Sequence, residues 1–323
     1  MSIIYAGQNR KNYIQNANFE LWDYATSQAS GDSGFGCANR WYNHESVACT
    51  RTVSQMEFDE GQTDVEGNPQ YYIRTIITDA GTGDSGNFIN MNQRIENVRT
   101  LSGENVTLSF YAKASSSLNL STEFIQYFGQ GGSASTNVGL IGVQKHSLTT
   151  SWQKFTKTVT IPSISTKIID LTDYFDSSYL KIRFYMSAGS DWNTNTDSLG
   201  FQTGTFDIAN VQLEKGLTVT PFEFVSPAQN RVECARYYIP NLYVGGSGQS
   251  SQTSVNFSAF STYPKMRCKP NTTVTTTVAV KLGSYNTVQS NGNGYIEIIG
   301  TIDEVGGYRG IAFVELDAEM PTY

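Results

Sequence analysis

Residues 191–197, Asp-Trp-Asn-Thr-Asn-Thr-Asp, set carboxylate or amide oxygens at every second position. Such spacing can feed oxygens to a calcium ion in an EF-hand-like loop. The pattern then breaks. Thr196 stands where the sharp turn needs glycine, and Gln202 stands where a bidentate Glu closes the shell. A solvated loop is the preferred reading. The same segment offers a second chemistry. Trp192 supplies a flat apolar face beside the amides of Asn193 and Asn195, and sugars are held by that combination of ring face and amide hydrogen bonds. Tyr127, Gln126 and Tyr185, on neighbouring strand patterns, extend the candidate set. The competing reading makes Trp192 a loop anchor or an interface residue.

Catalytic constellations are weak. The sequence has no GxSxG, HExxH, phosphate-loop or dinucleotide fingerprint. Two carboxylates at glycosidase spacing cannot be read from sequence order. With His44 and His146 as the only histidines, a histidine-based triad is not expected. Arg231 and Glu233 read as solvated or interface charges. Cys37, Cys49, Cys234 and Cys268 form no CxxC pair, so a zinc site lacks ligands. A Cys37–Cys49 bridge is conceivable on neighbouring strands, but free buried thiols are preferred because no secretory signal is evident. The Asn-X-Ser/Thr triplets at Asn105, Asn119, Asn256 and Asn271 carry little weight for the same reason.

The chain has 323 residues, 39% apolar and 12% aromatic, enough for two domains with real cores. Its formal charge of −7 argues against nucleic acid, and against an electrostatic hold on anionic lipid. No apolar run is long enough to predict a membrane span. Synthesis and folding in a cytoplasm are expected.

The elements that must carry these residues are strands. Val106, Leu108, Phe110 and Ala112 alternate with Thr107, Ser109, Tyr111 and Lys113, the period of a strand buried on one face. Similar signals recur at 71–77, 120–128, 152–160, 179–187 and 205–213, with a change of phase near Ala209–Asn210 that predicts a bulge. Glycine-, Asn- and Ser-rich loops separate them. The expectation is an all-β chain with an N-terminal β-sandwich. Ser226, Pro227 and Gln229 then predict a capped helix with an apolar stripe at Ala228, Val232, Ala235 and Ile239, stopped by Pro240. After the Gly/Ser-rich loop 245–252, strands at 253–261, 273–281, 295–301 and 309–316 predict a smaller C-terminal β-sandwich. The expected division is an N-terminal arm 1–15, a first domain 16–225, a connecting helix 226–240 and a second domain 241–323.

Several blocks point to a family: NANFELW at 16–22, NRWYN at 39–43, QRIENVRTLSGENVTLSFYAKA at 93–114 and QYFGQGGSAS at 126–135. LTTSWQKFTKTVTIPSI at 148–164, FDIANVQLEKGLTVTPFEF at 206–224 and CARYY at 234–238 join them. In this order and spacing they resemble the jelly-roll, carbohydrate-binding-module-like domain of bacteriophage tail-fibre and related virion proteins. The resemblance covers most of residues 10–240. It implies a virion protein without enzymatic activity, usually a homotrimer, that contacts other virion proteins and a host-surface polysaccharide. A head-decoration or tail-adaptor role is the alternative, and a glycan depolymerase is a third reading. Within such a fold Phe19, Trp22 and Trp41 are core aromatics, Gly129, Gly131 and Gly132 permit a tight turn, and Trp152 packs across the sandwich. The resemblance also implies a structural calcium held by a Glu in the first motif and an acid in the last strand. Glu20 fills the first place. Ala209 occupies the second, leaving Asp207 as a loose substitute. The second sandwich, small and with exposed edges, is expected to hold the trimer together.

Overall fold

A computed structural model of the protein describes residues 11–319, apart from 32, 131–132, 171–176, 251–254, 263–265, 268–269, 281, 291–294 and 303–305. The chain divides into two compact units, one ending at Asn230 and the other beginning at Arg231.

The first unit carries β1 (Ser27–Gln28), β2 (Tyr42–Glu45), β3 (Thr50–Glu57), β4 (Tyr71–Asp79), β5 (Phe88–Glu96) and β6 (Asn105–Ala114). It continues with β7 (Asn119–Tyr127), β8 (Val138–Ser147), β9 (Gln153–Thr160), β10 (Tyr179–Ala188), the one-turn helix α1 (Asn193–Thr196) and β11 (Gly204–Lys215). The strands form a six-stranded sheet, β1-β3-β4-β11-β6-β9, and a five-stranded sheet, β2-β5-β10-β7-β8. Neighbours pair antiparallel throughout both sheets.

Alternation decides what each sheet buries. Val106, Leu108, Phe110 and Ala112 of β6 turn inward and are completely buried. They meet Leu180, Ile182, Phe184 and Met186 of β10 in one core. Aromatic edges lock the layers: Phe110 to Phe184 at 5.3 Å and Trp41 to Phe184 at 6.1 Å, with Phe19 behind Trp41 at 5.1 Å. Trp22 is only partly buried against this core. The expected bulge is present. The register of β11 against β6 shifts between Ala209 and Gln212. Asn210 absorbs it at φ 45°, a conformation Asn tolerates better than most residues, and its Nδ2 donates to the Glu66 carbonyl at 2.8 Å.

Three expectations need correction here. Trp152 does not pack across the sandwich. It lies on the outer side of the six-stranded sheet with Phe58, Tyr72 and Tyr111, because it precedes β9 out of phase with the inward residues. Residues 12–14, expected in an N-terminal arm, pack into the first unit. Tyr13 N donates to the Leu213 carbonyl at 2.9 Å, and Asn12 and Ile14 are buried. The helix α2 spans only Pro227–Cys234. Ser226 does cap it, its Oγ accepting from Gln229 N at 3.3 Å. Yet Val232 is 53% exposed, while Asn230 and Cys234 are buried. The hydrophobic stripe extrapolated through Ile239 fails because the chain is already a strand from Tyr238.

The second unit holds β12 (Tyr238–Ser250), β13 (Val255–Thr262), β14 (Asn271–Val280), β15 (Leu282–Ser290), β16 (Tyr295–Ile302) and β17 (Gly306–Asp317). They make two three-stranded antiparallel sheets, β12-β17-β14 and β13-β16-β15. Val244, Met266, Val314, Leu316 and Ala318 form a small core there. Two of these strands, β12 and β15, were not expected. Glycines and serines at 245–250 read as a loop, but opposite β17 they are simply paired backbone.

Candidate binding face

The five-stranded sheet turns one face to the core. Its other face carries the chemistry. On β5, Ile89, Met91 and Ile95 belong to the core, so Phe88, Asn90, Asn92 and Arg94 project outward. On β10, Lys181, Arg183 and Tyr185 do the same between the core residues Leu180, Ile182, Phe184 and Met186. On β7, Ser121, Glu123, Ile125 and Tyr127 share the outer side. The register makes these residues neighbours: Arg183 lies between Asn92 and Glu123, and Lys181 between Arg94 and Ile125. On β2, His44 lies opposite Asn90 and Tyr42 opposite Asn92.

Although outward-facing, this surface is recessed. Glu123 and Tyr185 are fully buried, and Asn90, Asn92 and Arg94 nearly so, while His44, Phe88, Ile125 and Arg183 stay partly exposed. Glu123 is a hub. One oxygen takes Arg183 Nη1 at 3.1 Å and Tyr185 OH at 3.2 Å, and the other takes Asn195 Nδ2 at 3.1 Å. Arg183 Nη1 also donates to the Tyr185 hydroxyl. Burial pushes that hydroxyl far above the usual tyrosine range. In the middle of the face the hydrogen bonding is incomplete. Asn92 Nδ2 donates to Asn90 Oδ1 at 3.2 Å. Asn90 Nδ2, Asn92 Oδ1 and Arg183 Nε are buried with no hydrogen-bond partner among the described residues.

Aromatic rings border this row. Phe88 meets Trp192 edge-on at 4.8 Å and His44 at 4.8 Å, and Tyr185 lies 5.9 Å from Trp192. The Arg183 guanidinium lies 5.1 Å from the Tyr185 ring and 5.9 Å from the Trp192 ring. At the other end Tyr127 stacks on Tyr179 at 4.6 Å, and Arg94 lies over Tyr42 at 4.7 Å and near Tyr179 at 5.4 Å. Burial, and then the charges of Arg183 and Lys181, lower the His44 pKa to about 4, so its ring is neutral at pH 7.

The segment around Trp192 is a helical turn rather than an open loop. Residues Ser190–Trp192 form a 3₁₀ turn that runs into α1, which ends at Asp197 with φ 53°. Trp192 Nε1 donates to the Gly86 carbonyl at 2.7 Å, so Trp192 is an anchor whose ring stays partly exposed. Close approach of two loops makes Gly189 obligatory, since a Cβ there would overlap the Ser85 carbonyl oxygen.

The sequence candidates therefore separate. Trp192, Asn195 and Tyr185 meet around Glu123 and Phe88. Tyr127 lies on the same face at its far end. Asn193 is solvent-exposed on α1. Gln126 is a miss: one step from Tyr127 along β7, it faces the opposite side and donates to the Pro162 carbonyl at 2.8 Å. The two calcium candidates have other partners. Asp207 is nearly buried on β11, and its two oxygens take Arg74 Nε and Nη2 at 2.8 and 2.9 Å, with Lys113 at 3.8 Å. That is the setting of an ion pair. Glu20 accepts from Asn18 Nδ2 at 3.4 Å. Among the described residues no group of three or more His, Cys, Asp or Glu could hold a metal ion. Cys37, Cys49 and Cys234 are free, buried thiols, and Cys268 lies outside the described residues. Gly129 adopts φ 99° as a turn glycine, whereas Gly131 and Gly132 lie outside the described residues. Sequence reading did not single out Asn90, Asn92, Glu123, Lys181 and Arg183, which share this face. Their signal was a polar residue at every second position of strands whose other positions are apolar.

No family model and no curated protein matches the chain. Solved structures similar to it include a CBM4 structure (19% identity, 63% of this chain and 99% of that chain, TM-score 0.36). Another is the CBM22-2 xylan-binding domain from Paenibacillus barcinonensis Xyn10C (13% identity, 63% of this chain and 99% of that chain, TM-score 0.35). A third is the enzymatically active domain of bacteriophage CBA120 tailspike protein 4 (13% identity, 64% of this chain and 21% of that chain, TM-score 0.36).

Proposed function

We propose that the first unit binds a glycan along the outer face of the five-stranded sheet. We further propose that the chain is a non-enzymatic virion protein of tail-fibre or spike type, attaching to a host-surface polysaccharide. One observation carries the binding reading. Asn90 Nδ2, Asn92 Oδ1 and Arg183 Nε form an unsatisfied row of buried donors and acceptor in the centre of a sheet face bordered by aromatic rings. An unmade buried hydrogen bond costs about 1–3 kcal/mol, so a fold that keeps several together on one recessed face is arranged for an incoming partner. Sugar hydroxyls both donate and accept, and sugar rings present C–H faces to aromatic edges and faces. An amide row between aromatic groups complements both properties.

The virion reading rests on the sequence blocks between 16 and 238 that resemble phage fibre domains. It includes a homotrimer held through the second unit. A structural calcium draws no support from the positions of Glu20 and Asp207. The test of binding is retention of the full chain on immobilised host-surface polysaccharides, compared with the Asn90→Ala/Asn92→Ala variant. Selective retention of the parent chain, with no release of reducing ends, is expected. Equal retention of both proteins would refute the assignment of the face.

A further inference from the structure

The binding face has a charge pattern that narrows its ligand. We infer that the glycan bound there is anionic, and that a sugar carboxylate lies between Lys181 and Arg183. This inference rests on the glycan-binding reading and deepens it.

Lys181 is central to this charge pattern. Its side chain projects from β10 onto the recessed face, and the residue is only 9% exposed. Buried lysines normally hold a carboxylate or several hydrogen bonds, because an isolated buried charge is costly. The Lys181 side chain makes no salt bridge or hydrogen bond among the described residues; its ammonium lies 5.8 Å from the Tyr179 ring. The groups facing it do not neutralise it. Arg94 is its partner across β5, and Arg183 is two residues along β10 on the same side. Glu123, on β7, is already claimed by Arg183, Tyr185 and Asn195. Tyr179 and Tyr127 border it as aromatic rings, and His44 on β2 is neutral at pH 7. Glu96, on the same face of β5 opposite Tyr179, is the diagonal neighbour of Lys181, two residues beyond Arg94.

Burial first, and then the charges of Arg183 and Arg94, lower the Lys181 pKa to about 7. The free face thus holds three cationic side chains, Arg94, Lys181 and Arg183, against two carboxylates, Glu96 and Glu123, and one cation is only partly protonated at neutrality. Arg183 adds an unused, buried Nε donor two residues away. A carboxylate there would accept charge-assisted hydrogen bonds from both residues. The whole chain carries a formal charge of −7, so this cationic face is local and contrasts with the protein around it. A neutral glycan would leave the protonated form of Lys181 without a counter-charge.

Proton linkage follows. An anion beside Lys181 raises its pKa, so binding takes up a proton near neutrality, and affinity is highest below about pH 7 and falls as pH rises above it.

The test uses the full chain with oligogalacturonate, oligomannuronate and oligosialate, each paired with its neutral methyl-esterified counterpart, followed by calorimetry. The expected result is at least tenfold preference for one acid form over its ester. Lys181→Met should lose that preference. Lys181→Arg should keep the affinity but lose the fall between pH 7 and 8.5; it also serves if the Met variant fails to fold. Equal binding of acid and ester, or an unchanged Lys181→Met variant, overturns the inference. Binding of neutral glycans only, lost in the Asn90→Ala/Asn92→Ala variant, overturns the anionic inference and leaves the glycan reading standing. Binding of no sugar in either set, or in the polysaccharide screen, overturns both.

Discussion

Replacing Glu123 with alanine removes the acceptor for three donors at once, one of them fully buried. Arg183 loses its ion-pair partner, while Asn195 and Tyr185 each lose a hydrogen bond to the carboxylate. Breaking a buried pair by deleting one partner typically costs about 3–5 kcal/mol, because the remaining charge is left uncompensated. Here the Arg183 side chain is 13% exposed and Glu123 fully buried, so water reaches the orphaned guanidinium and places the loss near the lower end, about 3 kcal/mol. The assay is urea unfolding followed by tryptophan fluorescence. Trp22, Trp41, Trp152 and Trp192 are all the tryptophans of the chain, and each lies in the first unit, so the signal reports that unit alone. A paired replacement, Glu123→Leu with Arg183→Met, should cost less than Glu123→Ala, since it removes both charges together. A loss below about 1 kcal/mol for Glu123→Ala, or a paired variant less stable than the single one, would refute the hub.

Acid should destabilise the first unit through His146. Its ring is buried against Phe110 and Phe155, and Nε2 is 3.0 Å from Thr122 Oγ1. Burial, then Lys157, lowers its pKa from 6.5 to about 4. The unfolded chain therefore binds this proton first, and stability present above pH 6.5 is lost as pH falls through about 4. The drop corresponds to roughly 3 kcal/mol at full protonation. His146→Gln should flatten denaturation midpoints across that window; parallel curves would argue against it. His44 shifts in the same direction. Deleting 241–323 should convert trimers to monomers in light scattering, and a trimeric remainder would refute the role given to the second unit.

Strand β6 was legible because one face is apolar without exception and the other polar, so period alone set both element and orientation. The bulge at Ala209–Asn210 was legible as a slip in that period. Helix α2 was legible at its start, where capping is local chemistry, and illegible at its end. Its length was extrapolated from a stripe that the switch to β12 interrupts. Strand β12 itself was hidden because glycine and serine carry no strand signal, and pairing with β17 supplies what composition lacks. Trp192 drew the sequence reading because a tryptophan among amides is conspicuous. Lys181 and Arg183 were passed over because polar residues at alternate strand positions ordinarily face solvent. Only the assembled sheet, with β5 and β7 on either side of β10, makes that face a recess. Asp207 misled in the opposite way. As an acid in the last strand it invited a cation, and the cations it has are Arg74 and Lys113 from neighbouring strands.

The most direct measurement is the electron density of a crystal of the full chain soaked with the oligosaccharide it retains. Sugar rings are expected to lie across β5 and β10, hydrogen-bonded to Asn90, Asn92 and Arg183, with a carboxylate beside Lys181. Sugar density elsewhere on the first unit, with this face empty, would contradict it.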